Sequence, residues 1–153
     1  MTYDADTYRG LFNHYEGYTW AAYRKLMKYI PSDAVNILSI GCGLGDIEKK
    51  LPFNVTCYDP YSPVVEYHDK PTGNFDYSFS FNAVMSSALP DERRGIVDYA
   101  LSVSPAYLID RLFQTWPHAD DCFNYTEWND AELFEGYCCV NKGYRFFEVR
   151  HVV

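Results

Sequence analysis

The chain reads as an α/β protein built around a mostly parallel sheet, and three observations point there. A short apolar run, Val35 to Ile40, enters a glycine-rich turn, Gly41-Cys42-Gly43-Leu44-Gly45. A second β-rich run, Phe53 to Tyr58, ends on Asp59-Pro60. Two further strand patterns, Phe75 to Phe81 and Ala106 to Asp110, flank a helical stripe that starts at Pro90-Asp91. Strand runs separated by helical or compact segments of this kind are expected to lie parallel in one sheet.

With 153 residues the chain is one domain by length, near the lower limit for a complete doubly wound sheet, so trimmed elements are expected. The hydrophobic fraction of 48% supports a folded globule, and no apolar run is long enough to span a bilayer. The start, MTYDADTYRG, is acidic and polar, unlike a secretory or transit segment, and predicts a cytoplasmic protein. A formal net charge of −8 disfavours nucleic acid as a partner, and Arg93-Arg94 and Lys49-Lys50 are too small to form a basic face. Cys42, Cys57, Cys122, Cys138 and Cys139 show no repeated C-x-x-C unit, which predicts free, mostly buried thiols. Adjacent Cys138 and Cys139 on a strand would face opposite sides, and no metal-ligand cluster is visible.

Residues 1–31 form an N-terminal helical region. Leu11, Tyr15, Tyr18, Ala22, Leu26 and Tyr29 recur at spacings of three and four, with a possible break near Gly17, and Pro31 stops the pattern. Residues 35–153 are the core of the single domain. After the glycine turn, Asp46 to Leu51 continues with helical character. Glycines at alternate positions leave the backbone open to close approach, so a ligand cradle between strand and helix is expected, with a simple change of chain direction as the alternative. The dinucleotide fingerprint G-x-G-x-x-G would need its third glycine at Asp46, whose carboxylate would repel a pyrophosphate.

The pattern present, G-x-G-x-G after Ile37-Leu38-Ser39-Ile40, resembles the first motif of class I S-adenosylmethionine-dependent methyltransferases. The resemblance implies a Rossmann-like three-layer α/β sandwich, its mostly parallel sheet closed by a C-terminal antiparallel hairpin. It also implies S-adenosylmethionine as cofactor, held at Gly41, Cys42, Gly43 and Gly45. One departure stands out: the family's usual acidic residue two places before the first glycine is here Ser39.

Asp59, at the end of the second strand, is placed to accept hydrogen bonds from ribose hydroxyls, with Pro60 and Tyr61 beside it. An aspartate before proline is also an ordinary turn starter. Only residues 60–74 separate it from the next strand. Ser62-Pro63 capping a helical turn, or Val64 to His68 as a short strand, would fit there, but hardly both, so the sheet is expected to be trimmed at this edge. Asp69 follows that run where the resemblance implies a group near the adenine; a solvated loop aspartate is the alternative.

Phe75 to Phe81 alternates aromatic and polar residues and resembles the family's fourth strand. Asn82 falls at its carboxyl end, as a ligand contact or a cap for the following turn. The Asn/Asp-Pro-Pro-Tyr motif of enzymes that methylate base amines is absent, since the chain reads Asn82-Ala83-Val84-Met85. In the next helix Ile96, Val97, Ala100, Leu101 and Val103 form the expected buried stripe, ending near Ser104-Pro105. The loop Phe113 to Tyr125 carries Trp116, His118, Asp120 and Asp121 and should border an acceptor pocket; His118 is the candidate base, with His68 second. Thr126 to Phe134 has helical character and Gly136 ends it. Tyr137 to Val140 and Tyr144 to Val149 then alternate around Asn141-Lys142-Gly143, a hairpin pattern.

The resulting expectation is a methyltransferase acting on a small-molecule or peptide acceptor, with the oligomeric state open. The alternatives are a non-catalytic S-adenosylmethionine-binding module or partner subunit, and a small nicotinamide-dependent reductase.

Overall fold

The computed structural model describes residues 16–81, 90–110, 130–143 and 146–153. Strand β1 (Asn36–Ile40) lies between β2 (Asn54–Tyr58) and β3 (Tyr77–Ser80), parallel to both. Strand β4 (Ala106–Asp110) continues the parallel set beside β3, and β6 (Phe146–His151) runs antiparallel to β4. Strand β5 (Tyr137–Gly143) closes the sheet antiparallel to β6, for an order of β2-β1-β3-β4-β6-β5. This is the Rossmann-like arrangement with a terminal hairpin that the sequence predicts.

Helices cover both faces. Helix α1 (Glu16–Tyr29) places Leu26 against Ile37, Tyr77, Phe79, Leu108 and Phe146, together with Ile47 and Leu51 from the segment after the glycine turn. It runs through Gly17 without a break, and Pro31 follows its last bond, Ile30 N to Leu26 O. On the other face α2 (Pro90–Val103) contributes Val97, Ala100 and Leu101, and the short α3 (Asp130–Leu133) contributes Leu133. They pack on Leu38, Ile40, Tyr107, Ile109 and Val149. Because β4 is buried on both faces, it reads as the unbroken apolar run Ala106-Tyr107-Leu108-Ile109.

The polar half of the β3 alternation is buried, not solvated. Ser78 Oγ pairs with Ser104 Oγ at 2.7 Å, while Ser80 Oγ donates to Ile40 O at 2.9 Å and also pairs with the Tyr107 hydroxyl. Serine is small enough to leave room for α2, and each hydroxyl finds a partner that removes the cost of its burial. Asp76, just before β3, accepts the Val35 and Asn36 amides at 2.9 and 2.8 Å and so fixes where β1 begins.

Three expectations need correction. After the glycine turn only a 3₁₀ turn forms, Glu48–Lys50. Pro52 drives Leu51 to an extended conformation, which leaves room for a single turn. Second, Asn141-Lys142-Gly143 belongs to β5 instead of forming the hairpin turn. Asn141 Oδ1 accepts the Gly143 amide at 2.8 Å, and the register shifts between Asn141 and Gly143, where a bulge absorbs the extra residue. Third, the thiols are not mostly buried: Cys42 is buried and Cys57 partly so, but Cys138 and Cys139 are exposed on the outermost strand. Cys122 lies outside the described residues.

The edge beside β2 is cut down as expected. Of the two possibilities after Asp59 the helical turn is the one that forms, a 3₁₀ turn at Val65–Tyr67, and β2 is the sheet's edge strand. Among the described residues no helix is long and apolar enough to cross a membrane, and no His, Cys, Asp and Glu group could hold a metal.

Candidate active site

The glycine turn sits at the carboxyl ends of β1 and β2. Gly41 N donates to Tyr58 O at 2.7 Å, which extends the parallel pairing one residue beyond β1. The chain then reverses through Gly43 and Gly45 at φ +61° and +75°, a left-handed region costly for any residue with a Cβ. Gly45 N closes the turn on Cys42 O at 3.0 Å. A Cβ at Gly45 would stand 2.8 Å from the Tyr67 hydroxyl, so glycine is what lets the next segment fold over the turn.

Asp59, 5% exposed, ties that segment down. Its Oδ2 accepts the Gly43 amide and its Oδ1 the Tyr61 amide, each at 2.9 Å. Ser62 Oγ donates to Gly43 O at 2.6 Å and accepts the Val64 amide at 3.0 Å. Gly43 is thus held at both its N–H and its C=O by the 59–62 segment. A His68 ring nitrogen lies 2.6 Å from Ser62 O, and Asp59 N donates to Tyr67 O at 2.8 Å. Burial raises the Asp59 carboxyl above its ordinary range, against the opposing pull of the Tyr61 and Gly43 amides and of His68.

Below the turn lies a second carboxylate. Glu48, 6% exposed, accepts a hydrogen bond from Ser39 Oγ at 2.7 Å through Oε1, while Oε2 has no hydrogen-bond partner. Burial pushes its carboxyl up to about 7; the charges of Asp46 and Asp59 add to the rise and the Ser39 bond opposes it. The Cys42 thiol is raised by its contact with Cys57 and by burial, which keeps it protonated and unreactive. Tyr67 is pushed up to about 12, first by burial and then by Cys57, Cys42 and Glu48.

The structure therefore brings Gly41, Cys42, Gly43, Gly45 and Asp59 together, with Pro60 and Tyr61 exposed at the rim. Asp69 stands exposed in the loop after the 3₁₀ turn. His68 serves the clasp through Ser62. Asn82, His118 and the loop Phe113 to Tyr125 lie outside the described residues. Sequence reasoning missed the Ser39–Glu48 pair, Tyr67 and the clasp made by Ser62. For Glu48 the available signal, a position three residues after the last glycine, was masked by the solvent-facing pair Lys49-Lys50.

No protein-family model matches the chain, and no curated protein sequence matches it. Among solved structures it is similar to magnesium protoporphyrin IX methyltransferase from Synechocystis PCC 6803 with bound SAH, at TM-score 0.58 and 11% identity, over 89% of this chain and 83% of that one. The same enzyme with bound SAM gives a TM-score of 0.58 at 11% identity, over 89% and 79%. An O-methyltransferase family protein from Burkholderia thailandensis follows at TM-score 0.51 and 14% identity, over 89% of this chain and 59% of that one. The chain has the fold of the class I S-adenosylmethionine-dependent methyltransferases.

Proposed function

We propose that this chain binds S-adenosylmethionine at the glycine turn and transfers its methyl group to a small-molecule or peptide acceptor. The observation that carries the reading is the bond between Gly43 N and Asp59 Oδ2, which joins the glycine turn to a buried carboxylate at the carboxyl end of the neighbouring parallel strand. The residues fit this cofactor. Each Asp59 oxygen accepts one amide in the structure and keeps a lone pair for a ribose hydroxyl. Asp46, Glu48 and Asp59 make the surroundings of the turn negative, which suits a ligand with ammonium and sulfonium groups and opposes a diphosphate. The nicotinamide reductase reading is correspondingly weaker.

The bound cofactor would supply an already activated methyl group for in-line displacement. The protein's work is then to align acceptor, carbon and sulfur, for which proximity can supply about 7–11 kcal/mol. His118 as base and Trp116, Asp120 and Asp121 as an acceptor wall complete the proposal, in a single cytoplasmic domain. A second reading, a binding module without transfer, has its own support: the connections on both sides of β2 are reduced to 3₁₀ turns.

Thermal denaturation with S-adenosylmethionine, S-adenosylhomocysteine, NAD and NADP tests the cofactor. Hundredfold excess over Kd should add about 2.7 kcal/mol for the first two, and stabilisation by a nicotinamide cofactor alone would overturn the reading. Labelled donor with a panel of amines, phenols, peptides and nucleic acids then separates enzyme from binding module. Binding without transfer to any class favours the module.

A further inference from the structure

We propose that Glu48 is the counter-charge for the ammonium group at the amino acid end of the cofactor. The inference rests on the proposed site and assigns it a residue that no strand position supplies.

A carboxylate so enclosed is normally paired or bonded through both oxygens. Here Oε1 takes the Ser39 hydroxyl and Oε2 takes nothing. No neighbour supplies a donor: Asp46 and Asp59 are acidic, and the protonated Cys42 thiol and Tyr67 hydroxyl, though nearby, make no hydrogen bond to Oε2. Lys49 and Lys50, next in the chain, are exposed. The site thus holds a fixed acceptor with no donor, beside the buried glycine turn that the 59–68 segment covers.

The missing partner must carry N–H or O–H and is best cationic. A sulfonium attracts a carboxylate but has no proton to share, and the ribose hydroxyls fall to Asp59 at the end of β2. The ammonium group meets both requirements. Ser39 occupies the β1 position and points its hydroxyl at Glu48, so the strand positions a carboxylate carried by the following 3₁₀ turn. Charge and hydrogen bonding at this point would also discriminate against adenosine-containing ligands that lack an amino group.

Calorimetric titration of a two-by-two set tests this at pH 8: wild type and Glu48→Gln, each with S-adenosylhomocysteine and with the analogue whose amino group is replaced by hydrogen. Glu48→Gln should weaken S-adenosylhomocysteine roughly ten- to hundredfold, the range of a charge-assisted hydrogen bond. Deleting the amino group should cost wild type a similar factor and the variant almost nothing. Equal affinity of wild type for the two ligands, or equal losses for both ligands in Glu48→Gln, would overturn the assignment while leaving the cofactor reading intact. Failure of wild type to bind S-adenosylhomocysteine would overturn both. If Glu48→Gln does not fold, Ser39→Ala replaces it. Freeing the carboxylate should cost S-adenosylhomocysteine a few-fold and the desamino analogue nothing, and unchanged affinity overturns the proposal.

Discussion

Replacing Glu48 by glutamine should make the cofactor-free protein more stable, and more so as the pH rises. The carboxyl binds its proton more tightly folded than unfolded, since its folded value of about 7 lies above the ordinary 4.5. Its contribution to stability is therefore fully present below pH 4.5 and is lost as pH climbs through 7. At roughly 1.4 kcal/mol per unit the shift corresponds to about 3 kcal/mol, and little solvent reaches the group to screen it. Glutamine keeps an oxygen for the Ser39 hydroxyl and removes the charge, with an NH2 group in place of Oε2. Urea denaturation of wild type and Glu48→Gln between pH 4.5 and 8.5 should show curves that nearly coincide at the acid end. They should separate to about 3 kcal/mol above pH 7, or roughly 6–12 °C in Tm for a domain of this size. Taking the difference cancels most other titrations, apart from that of Asp59. A stability difference that stays constant across this range would refute the argument that Glu48 is buried as a charge without adequate partners.

Gly43→Val should cost about 1–2 kcal/mol of stability for a side chain at φ +61° and should abolish cofactor binding; a folded variant that still titrates normally would place the ligand elsewhere. Asp59→Ala removes the acceptor of the Gly43 and Tyr61 amides as well as the proposed ribose ligand, and calorimetry should show cofactor binding weakened by about 1.5–3 kcal/mol. Ser62→Ala leaves Gly43 O without its donor and should lower stability by about 1–3 kcal/mol in urea denaturation. Tyr77→Phe removes the donor 2.5 Å from Glu148 Oε2. Although burial pushes the Glu148 carboxyl up, the bonds from Tyr77 and Arg150 outweigh it and hold the group low. The deficit from Tyr77→Phe should therefore be largest near neutral pH, about 1–3 kcal/mol, and shrink as acid protonates Glu148.

Elements whose identity rests on pattern were legible in the sequence. The apolar run into Gly41, the Val97-Ala100-Leu101 stripe and the β4 run each have one structural solution, and all three appear where expected. What could not be read depended on contacts between distant residues. Glu48 sits in a run of charges that looks solvated, and only the tight fold of residues 45–51 turns it toward Ser39. The aromatic and polar alternation of Tyr77 to Ser80 gives no sign of burial on both faces, because the partners of its serines come from β1, β4 and the end of α2. The hairpin is legible but the inclusion of Asn141 to Gly143 in its first strand is not, since a bulge depends on the register of the opposing strand and not on the Asn-Lys-Gly sequence.

The short connections around β2 bear on the order in which the molecule assembles. Ser39–Glu48, Gly43–Asp59 and Gly43–Ser62 join residues 9, 16 and 19 positions apart, whereas Tyr77–Glu148 joins residues 71 apart. Closing the longest of these loops costs about 1.3 kcal/mol more chain entropy than closing the 16-residue one. The cradle should therefore form early from one continuous stretch, residues 39–68, before the C-terminal hairpin docks on β4. Pulse-labelled hydrogen exchange during refolding should protect the Gly43 and Tyr61 amides ahead of those of β6. The reverse order would mean that the hairpin templates the site.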